Sequence, residues 1–441
     1  MRPRAEVWIT GIGALTPAGD GSGCLRALLR AGESALRAEE AFGCAQVGRI
    51  PDGPGGRGGR GGRAGRGLDP AARLFLAAAE EAWRDAGLPP ADEPEGERGA
   101  SGPAGDAACA GDADRSDVVV IEGSSLGPQP HLLESYARRL ERLGRATPHP
   151  LDLLRFMPGS GGAAFAQAHG LSEVAFQVAA GSVSGALAIG QAYERIAGGQ
   201  ADLVVAGGAD APVQAAIVQA FLAAGVQAPP GSACQPFDAR RAGTALADGA
   251  GVVVLEAAAH ARARGARPRA RLLGFGAAAE SYGRAAPDPE GAGVVAAVRR
   301  ALANGVAPRH PDEPGARGGP AVSIDDVAWI KAHGTGTRAG DAAELHGLAQ
   351  LFGPALADIP VTSLKSAIGH SLGASGATEL VAAVLALEDG LVPGTVGWER
   401  ADANAPACRI EALPGPARPG PVLLLSESFG GRATVLLLEA A

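Results

Sequence analysis

Residues 184–198, SGALAIGQAYERIAG, have helical character but carry small or apolar side chains on nearly every side. A helix of that kind has no face to give to water, so it is buried rather than laid on the surface. It follows a strand-like run, EVAFQV, and a glycine turn, and leads into a β-branched, glycine-rich run, ADLVVAGGADA. The same plan recurs at residues 361–380, VTSLKSAIGHSLGASGATEL. There a short β-branched and apolar run ends at Ser363-Leu364-Lys365, turns through Gly369-His370 and continues as a small-residue helix from Ser371. Buried strands, polar glycine turns and helices in alternation define an α/β protein. No close repeat is visible, but the shared plan predicts two pseudo-equivalent α/β halves, residues 1–260 and 261–441.

Along the chain, residues 6–12 read as a buried strand and 23–35 as a helix. Residues 69–87 predict a helix with Asp69 as N-cap, Pro70 at its first position and Gly87 as its stop. Residues 117–125 are a β-branched strand ending in Gly-Ser-Ser, and 131–170 are irregular but rich in helix formers. Residues 236–265 read as a glycine-rich hairpin followed by a helix. A second set of strands begins at 271–276, 325–344 reads as strand, turn and helix start, and 422–439 as strand, glycine turn, strand. Three stretches lack apolar periodicity: a Gly/Arg-rich loop over 51–68, containing Arg57, Arg60, Arg63 and Arg66, and polar insertions over 90–116 and 308–320.

Composition narrows the function. A net charge of −8 gives no basic face for nucleic acid or an anionic membrane. The five cysteines are scattered without CxxC or His/Cys ligand spacing, which predicts a reduced, cytoplasmic protein with no metal site. Neither a signal peptide nor a membrane span is expected. Of 39 basic residues only Lys331 and Lys365 are lysine, and each stands near a His-Gly motif. Lysine is a compact point charge where arginine is a planar fork, so its retention at these two places points to chemistry.

With these motifs in place, the chain resembles the β-ketoacyl synthases, condensing enzymes of fatty-acid and type II polyketide biosynthesis. The resemblance runs through WITGIGALTP, VAGGADA, PFDARRAGTALADGAGVVVLE, KAHGTGTRAGDAAE, SLKSAIGHSLGASGATEL and SFGG, leaving out the low-complexity insertions. It implies the thiolase fold, two α/β halves in an αβαβα stack, and decarboxylative Claisen condensation of malonyl-ACP with an acyl group. His333 and His370 match the two histidines that hold the thioester carbonyl, and Lys365 the lysine that supports the second of them. Glu379 matches an acidic residue behind this pair, and Phe429 the phenylalanine that gates the malonyl site. With Thr335 and Thr337 of the His-Gly-Thr-Gly-Thr block they make up the implied substrate-binding set. The resemblance also implies no cofactor beyond the phosphopantetheine of the acyl carrier protein, and a dimer, either of this chain or with a cysteine-containing ketosynthase.

Three departures stand out. The family places a cysteine at the tip of the buried helix, whereas here the matching position is Ser182, in AAGSVSGALAIG. A serine hydroxyl needs a neighbouring general base to act as a nucleophile, and Ser182 reads equally as the N-cap of a helix in a site without one. The C-terminal block SESFGGRATV carries Arg432 and Ala433 in place of the family's Thr-Asn, and Arg338 follows HGTGT where proline is common. Three readings therefore stay open: a condensing enzyme using Ser182, a malonyl-ACP decarboxylase, or a chain-length-factor-like partner subunit. The remaining histidines, His131, His149, His169, His260, His310 and His346, are isolated and read as structural or solvated.

Overall fold

The computed structural model describes residues 4–51, 67–90, 117–145, 147–305 and 322–441. The arginine cluster of 57–66 and nearly all of the two predicted insertions lie outside the described residues.

Ten strands carry the fold. They are β1 (Val7–Thr16), β2 (Val119–Gly123), β3 (Ala175–Val178), β4 (Leu203–Asp210), β5 (Gly249–Ala257), β6 (Ala270–Ala279), β7 (Trp329–Lys331), β8 (Val361–Thr362), β9 (Val422–Ser428) and β10 (Arg432–Ala440). The helices that matter here are α1 (Pro70–Asp85), α2 (Ser184–Ala197), α3 (Ala292–Asn304), α4 (Arg338–Phe352) and α5 (Ser375–Glu388).

The strands lie side by side in the order β8-β7-β9-β10-β6-β1-β5-β4-β2-β3. Outward from the β1–β6 seam, both sides repeat one pattern. β5 is antiparallel to β1 and β4, while β4, β2 and β3 run parallel. β10 is antiparallel to β6 and β9, while β9, β7 and β8 run parallel.

Side-chain alternation along the strands builds the layers. Val253 and Leu255 of β5 enter a central core with α2 and α5, while Val252 and Val254 face α1. On the other side Leu424 and Leu436 join the same central core, and Leu423, Leu425 and Leu437 pack with α3 and α4. The result is the αβαβα stack of the thiolase fold, with α2 and α5 as its middle layer. Both sheet faces are covered, which is why the strands read as continuous apolar runs.

The middle layer is tight enough that glycine is structural. A Cβ at Gly251 would sit 2.5 Å from the Thr378 backbone nitrogen, and one at Gly123 would meet the Ser184 carbonyl carbon at 2.5 Å. Gly376 faces Ala186 in the same way. Strand and helix backbones approach this closely only because those positions have no side chain.

Several local expectations are corrected. The hairpin expected in 236–265 does not form: β5 pairs with β1 and β4 instead of a neighbour in sequence. Its Gly249 and Gly251 mark the close approach of Ser371 and of α5, not a turn. The stretch 131–170 is not irregular, since it contains helices at Gln129–Leu143, Asp152–Arg155 and Ser160–Ala168. The first of these carries Leu133, Tyr136, Leu140 and Leu143 at helical spacing but buries only Pro130, leaving Leu133, Leu140 and Leu143 exposed. The helix expected over 23–35 spans Ser22–Ala31 and stops at left-handed Gly32. α1 follows the expected boundaries, with the Asp69 carboxylate accepting from the Ala71 and Ala72 N–H groups.

A testable consequence is that Gly251→Ala, which drives a methyl group into the backbone of α5, lowers stability by about 2 kcal/mol or more. Chemical denaturation of the purified variant against the parent measures this.

Candidate active site

The His-Gly-Thr-Gly-Thr turn is shaped by the helix that follows it. Asp341 and Glu344 lie three residues apart in the first turns of α4, hence on one face. Glu344 accepts the N–H groups of His333 at 2.5 Å and Gly334 at 2.8 Å, and Asp341 accepts those of Gly336 at 3.0 Å and Phe237 at 2.6 Å. Gly334 (φ +40°) and Gly336 (φ +82°) supply the left-handed geometry that folds the loop back onto these carboxylates. The His333 backbone is thereby fixed and its ring buried, and among the described residues its Nδ1 has no hydrogen-bond partner.

Behind this turn both lysines of the chain meet one carboxylate. Lys331 and Lys365, each 0% exposed, ion-pair with the two oxygens of Glu379, which is 1% exposed. Lys331 also donates to the Leu425 carbonyl at 2.5 Å, and Lys365 to the His333 carbonyl at 3.2 Å. Burial lowers the Lys331 pKa, Glu379 opposes that shift, and the like charge of Lys365 adds to it.

Lys365 supports the backbone of the first histidine and has no bond to the ring of the second, because its side chain runs inward from the helical turn Lys365–Ile368 to Glu379. The Glu379 carboxylate is enclosed by the two lysines.

Ser182 lies just before α2 and His370 just before α5, so the two middle-layer helices bring them together. The Ser182 Oγ is 3.1 Å from His370 Nε2, and His370 Nδ1 is 2.9 Å from Ser375 Oγ. The His333 and His370 rings meet edge to face, centroids 5.4 Å apart. Ser182 is not an N-cap: the helix begins after Val183 without a side-chain cap, and Ser184 Oγ ties the preceding turn by accepting from the Ala180 N–H at 2.9 Å and donating to the Gly181 carbonyl.

Both imidazoles are held well below their ordinary pKa of 6.5, by burial first and then by the positive charge of Lys365. They are neutral at physiological pH. With Nδ1–H donated to Ser375, His370 Nε2 is free to accept the Ser182 proton, the relation that activates a hydroxyl nucleophile. A hydroxyl partner can also donate to Nδ1, which turns Nε2 into a donor. A carboxylate at position 375 would lock the first tautomer; Ser375 permits both.

Ser182, His333, His370, Lys365 and Glu379 thus form one connected cluster. Thr335 and Thr337 bond each other at 2.9 Å on the loop beyond His333. Phe429 is 53% exposed at the β9–β10 turn, next to Ser428, whose Oγ accepts the Ser182 N–H at 3.0 Å. Sequence reasoning missed Ser375, Ser428, Asp341 and Glu344. Only the Asp-x-x-Glu spacing after the glycine turn carried a signal for the last two. Among the described residues no group of three or more His, Cys, Asp or Glu side chains could hold a metal ion, and no helix is long and apolar enough to cross a membrane.

A five-layered thiolase fold with two neutral histidines beside the tip of a buried helix defines the class of protein. The chain matches the β-ketoacyl synthase N-terminal domain over residues 59–261 and the C-terminal domain over 320–399. It is 34% identical to the tetracenomycin polyketide synthase ketoacyl synthase alpha subunit of Streptomyces glaucescens, covering 98% of this chain and 96% of that protein. It is 31% identical to 3-oxoacyl-[acyl-carrier-protein] synthase 2 of Rhizobium meliloti (strain 1021), covering 96% of each. Among solved structures, the ishigamide ketosynthase/chain length factor superposes with a TM-score of 0.81 at 27% identity, over 99% of this chain and 100% of that one. A type II polyketide synthase acyl-carrier protein in complex with its ketosynthase bound to the hexaketide gives a TM-score of 0.79 at 25% identity, with both chains fully covered. The chain belongs to the β-ketoacyl synthase family.

Two outcomes follow for the site. Glu379→Gln, which leaves two buried ammonium groups without a counter-charge, costs about 3–5 kcal/mol, and adding Lys331→Met recovers part of the loss in denaturant titrations. The acid limb of any reaction that uses His370 as a base lies well below that of an ordinary imidazole at 6.5, because the folded imidazole stays unprotonated where an ordinary one takes up a proton; a pH–rate profile reads this directly.

Proposed function

We propose that the chain is an acyltransferase of the 3-oxoacyl synthase type, working on carrier-protein thioesters in fatty-acid or polyketide biosynthesis, with Ser182 as acyl acceptor. The observation that supports this most directly is the Ser182 hydroxyl at 3.1 Å from a neutral His370 that is itself hydrogen-bonded to a third group. Ser182 Oγ bonds to the acyl carbon, the carbon–sulfur bond breaks, and the proton passes through His370 Nε2 to the departing carrier thiol. Malonyl carrier protein then loses carbon dioxide. The enolate that forms is stabilised by imidazole N–H donors in a dry site and by the nearby ammonium charge. It attacks the acyl carbon, releasing Ser182 and a 3-oxoacyl thioester. In this reading Phe429, Thr335 and Thr337 line the approach of the thioester, and no cofactor beyond the carrier's phosphopantetheine takes part.

The same reading takes residues 1–260 and 261–441 as its halves, supported by the repeated strand pattern on either side of the β1–β6 seam. It places the protein in the cytoplasm as a dimer joined along β3, an edge strand whose one partner in the sheet is β2. A homodimer fits a self-contained enzyme, and a heterodimer fits a subunit that borrows a cysteine-containing ketosynthase.

A second reading has one observation in its favour. The Ser182 N–H, which an acyl oxygen would need, already donates to Ser428. A non-condensing, chain-length-factor-like subunit, or a malonyl-carrier-protein decarboxylase that needs no nucleophile, would tolerate this.

Intact mass after incubation with acyl carrier protein, beside carbon dioxide release from malonyl carrier protein, separates the three. Ser182→Ala abolishes the adduct if the first reading holds. His333→Ala and His370→Ala each lower decarboxylation by roughly 100-fold under either catalytic reading. Absence of both adduct and carbon dioxide leaves the partner-subunit reading.

A further inference from the structure

Ser428 ends β9 directly opposite Arg432 in register, and the turn between them uses Gly430 (φ +81°) and Gly431 (φ +69°). The turn reaches back to the loop that carries the nucleophile. Ser428 Oγ accepts the Ser182 N–H at 3.0 Å, and Arg432 Nη1 lies 3.5 Å from the Ala180 carbonyl oxygen. The fit is close: a Cβ at Gly181 would stand 2.1 Å from Ser428 Oγ, so glycine at 181 is what admits the hydroxyl.

When a serine attacks a thioester, the carbonyl oxygen becomes an oxyanion and needs a donor 2.7–3.1 Å away, typically the backbone N–H of the nucleophile itself. Ser428 Oγ occupies that distance on the only hydrogen of the Ser182 amide. Two oxygens cannot both lie on its axis at hydrogen-bond length.

We infer that Ser428 is a specificity-determining residue that withholds the Ser182 N–H from an incoming acyl group and so keeps Ser182 from being acylated efficiently. The inference rests on the reading of Ser182 as the acyl-accepting position and adds the reason for restraint at that position. The step affected is formation of the Ser182 Oγ–acyl bond with loss of the thiol through His370. Decarboxylation, which draws on His333 and His370, does not need this amide. The site is thereby biased toward decarboxylation rather than condensation.

The test is single-turnover acylation of the full chain by the octanoyl thioester of N-acetylcysteamine, followed by intact mass. Ser428→Ala removes the competing acceptor and is expected to raise the rate of adduct formation roughly 10- to 100-fold, the scale set by one oxyanion donor. The adduct is absent when Ser182→Ala is added. Ser428→Gly gives the same increase and carries the test should the alanine variant fail to fold. An unchanged rate, no adduct, or a rate below that of the parent in the folded variant overturns the inference; the last would mean that the hydroxyl serves the oxyanion itself. Carbon dioxide release from malonyl carrier protein by the unsubstituted chain, and its loss in His333→Ala, reports on the underlying reading independently.

Discussion

The Glu379 carboxylate, buried between the two lysines of the chain, is the interaction on which the rest of the site depends. It joins β7 through Lys331, the turn after β8 through Lys365, and α5 through its own backbone, while Lys331 also reaches β9 at Leu425. Two ammonium groups against one carboxylate leave an excess of positive charge in a dry interior. Such a grouping is costly unless every donor is used. Here the carbonyls of Leu425 and His333 take further bonds. The return on that cost is electrostatic: the charge adds to burial in holding both imidazoles neutral.

The reactive side chains are aimed by backbone packing rather than by long side chains. Ser182 and His370 each precede one helix of the middle layer, and those helices can touch each other and the sheets because their contact positions are glycine, alanine and serine. A Cβ at Gly185 would meet the Gly373 carbonyl oxygen at 2.7 Å. Asp210 reinforces the same junction by accepting from the Ser125 and Gly373 N–H groups, both at 2.8 Å. Burial raises its pKa to about 6, so these bonds hold a carboxylate that would otherwise be protonated more readily.

What could be read in the sequence was what depends on local pattern. The all-round small-residue character of 184–198 predicted the buried helix, and Asp69, Pro70 and Gly87 predicted α1, since caps and stops act within a few residues. The rarity of lysine marked both members of the Glu379 cluster. What failed depends on partners distant in sequence. A glycine that admits a helix looks like a turn glycine until the helix is in place, which is why β5 reads as half of a hairpin in the sequence. A serine before a helix looks like an N-cap until a histidine 188 residues away takes its hydroxyl. The helix at Gln129–Leu143 was legible in principle, since Leu133, Tyr136, Leu140 and Leu143 recur at helical spacing, but that stripe faces outward instead of into the core.

On the proposed reading, a serine at the position of the family's cysteine gains its meaning from the two other serines around it. A thiol ionises at moderate pH and needs little help, whereas a hydroxyl must pass its proton to a base as it attacks. Ser375 makes that possible by orienting His370 without a formal charge, and it leaves the imidazole able to switch to the tautomer an enolate requires. Ser428 acts on the same residue from the opposite side, engaging the amide that the attack would need. On that reading one serine acts through His370 Nδ1 to prepare the nucleophile, and the other restrains it through the Ser182 amide. A site that had merely lost its cysteine would have no physical reason to keep two buried lysines, an enclosed carboxylate and two neutral imidazoles in register. On the reading proposed above, the histidine and lysine groups serve the malonyl unit, and the competition between Ser428 and an acyl oxygen for the Ser182 N–H sets whether an acyl group is there to receive its product.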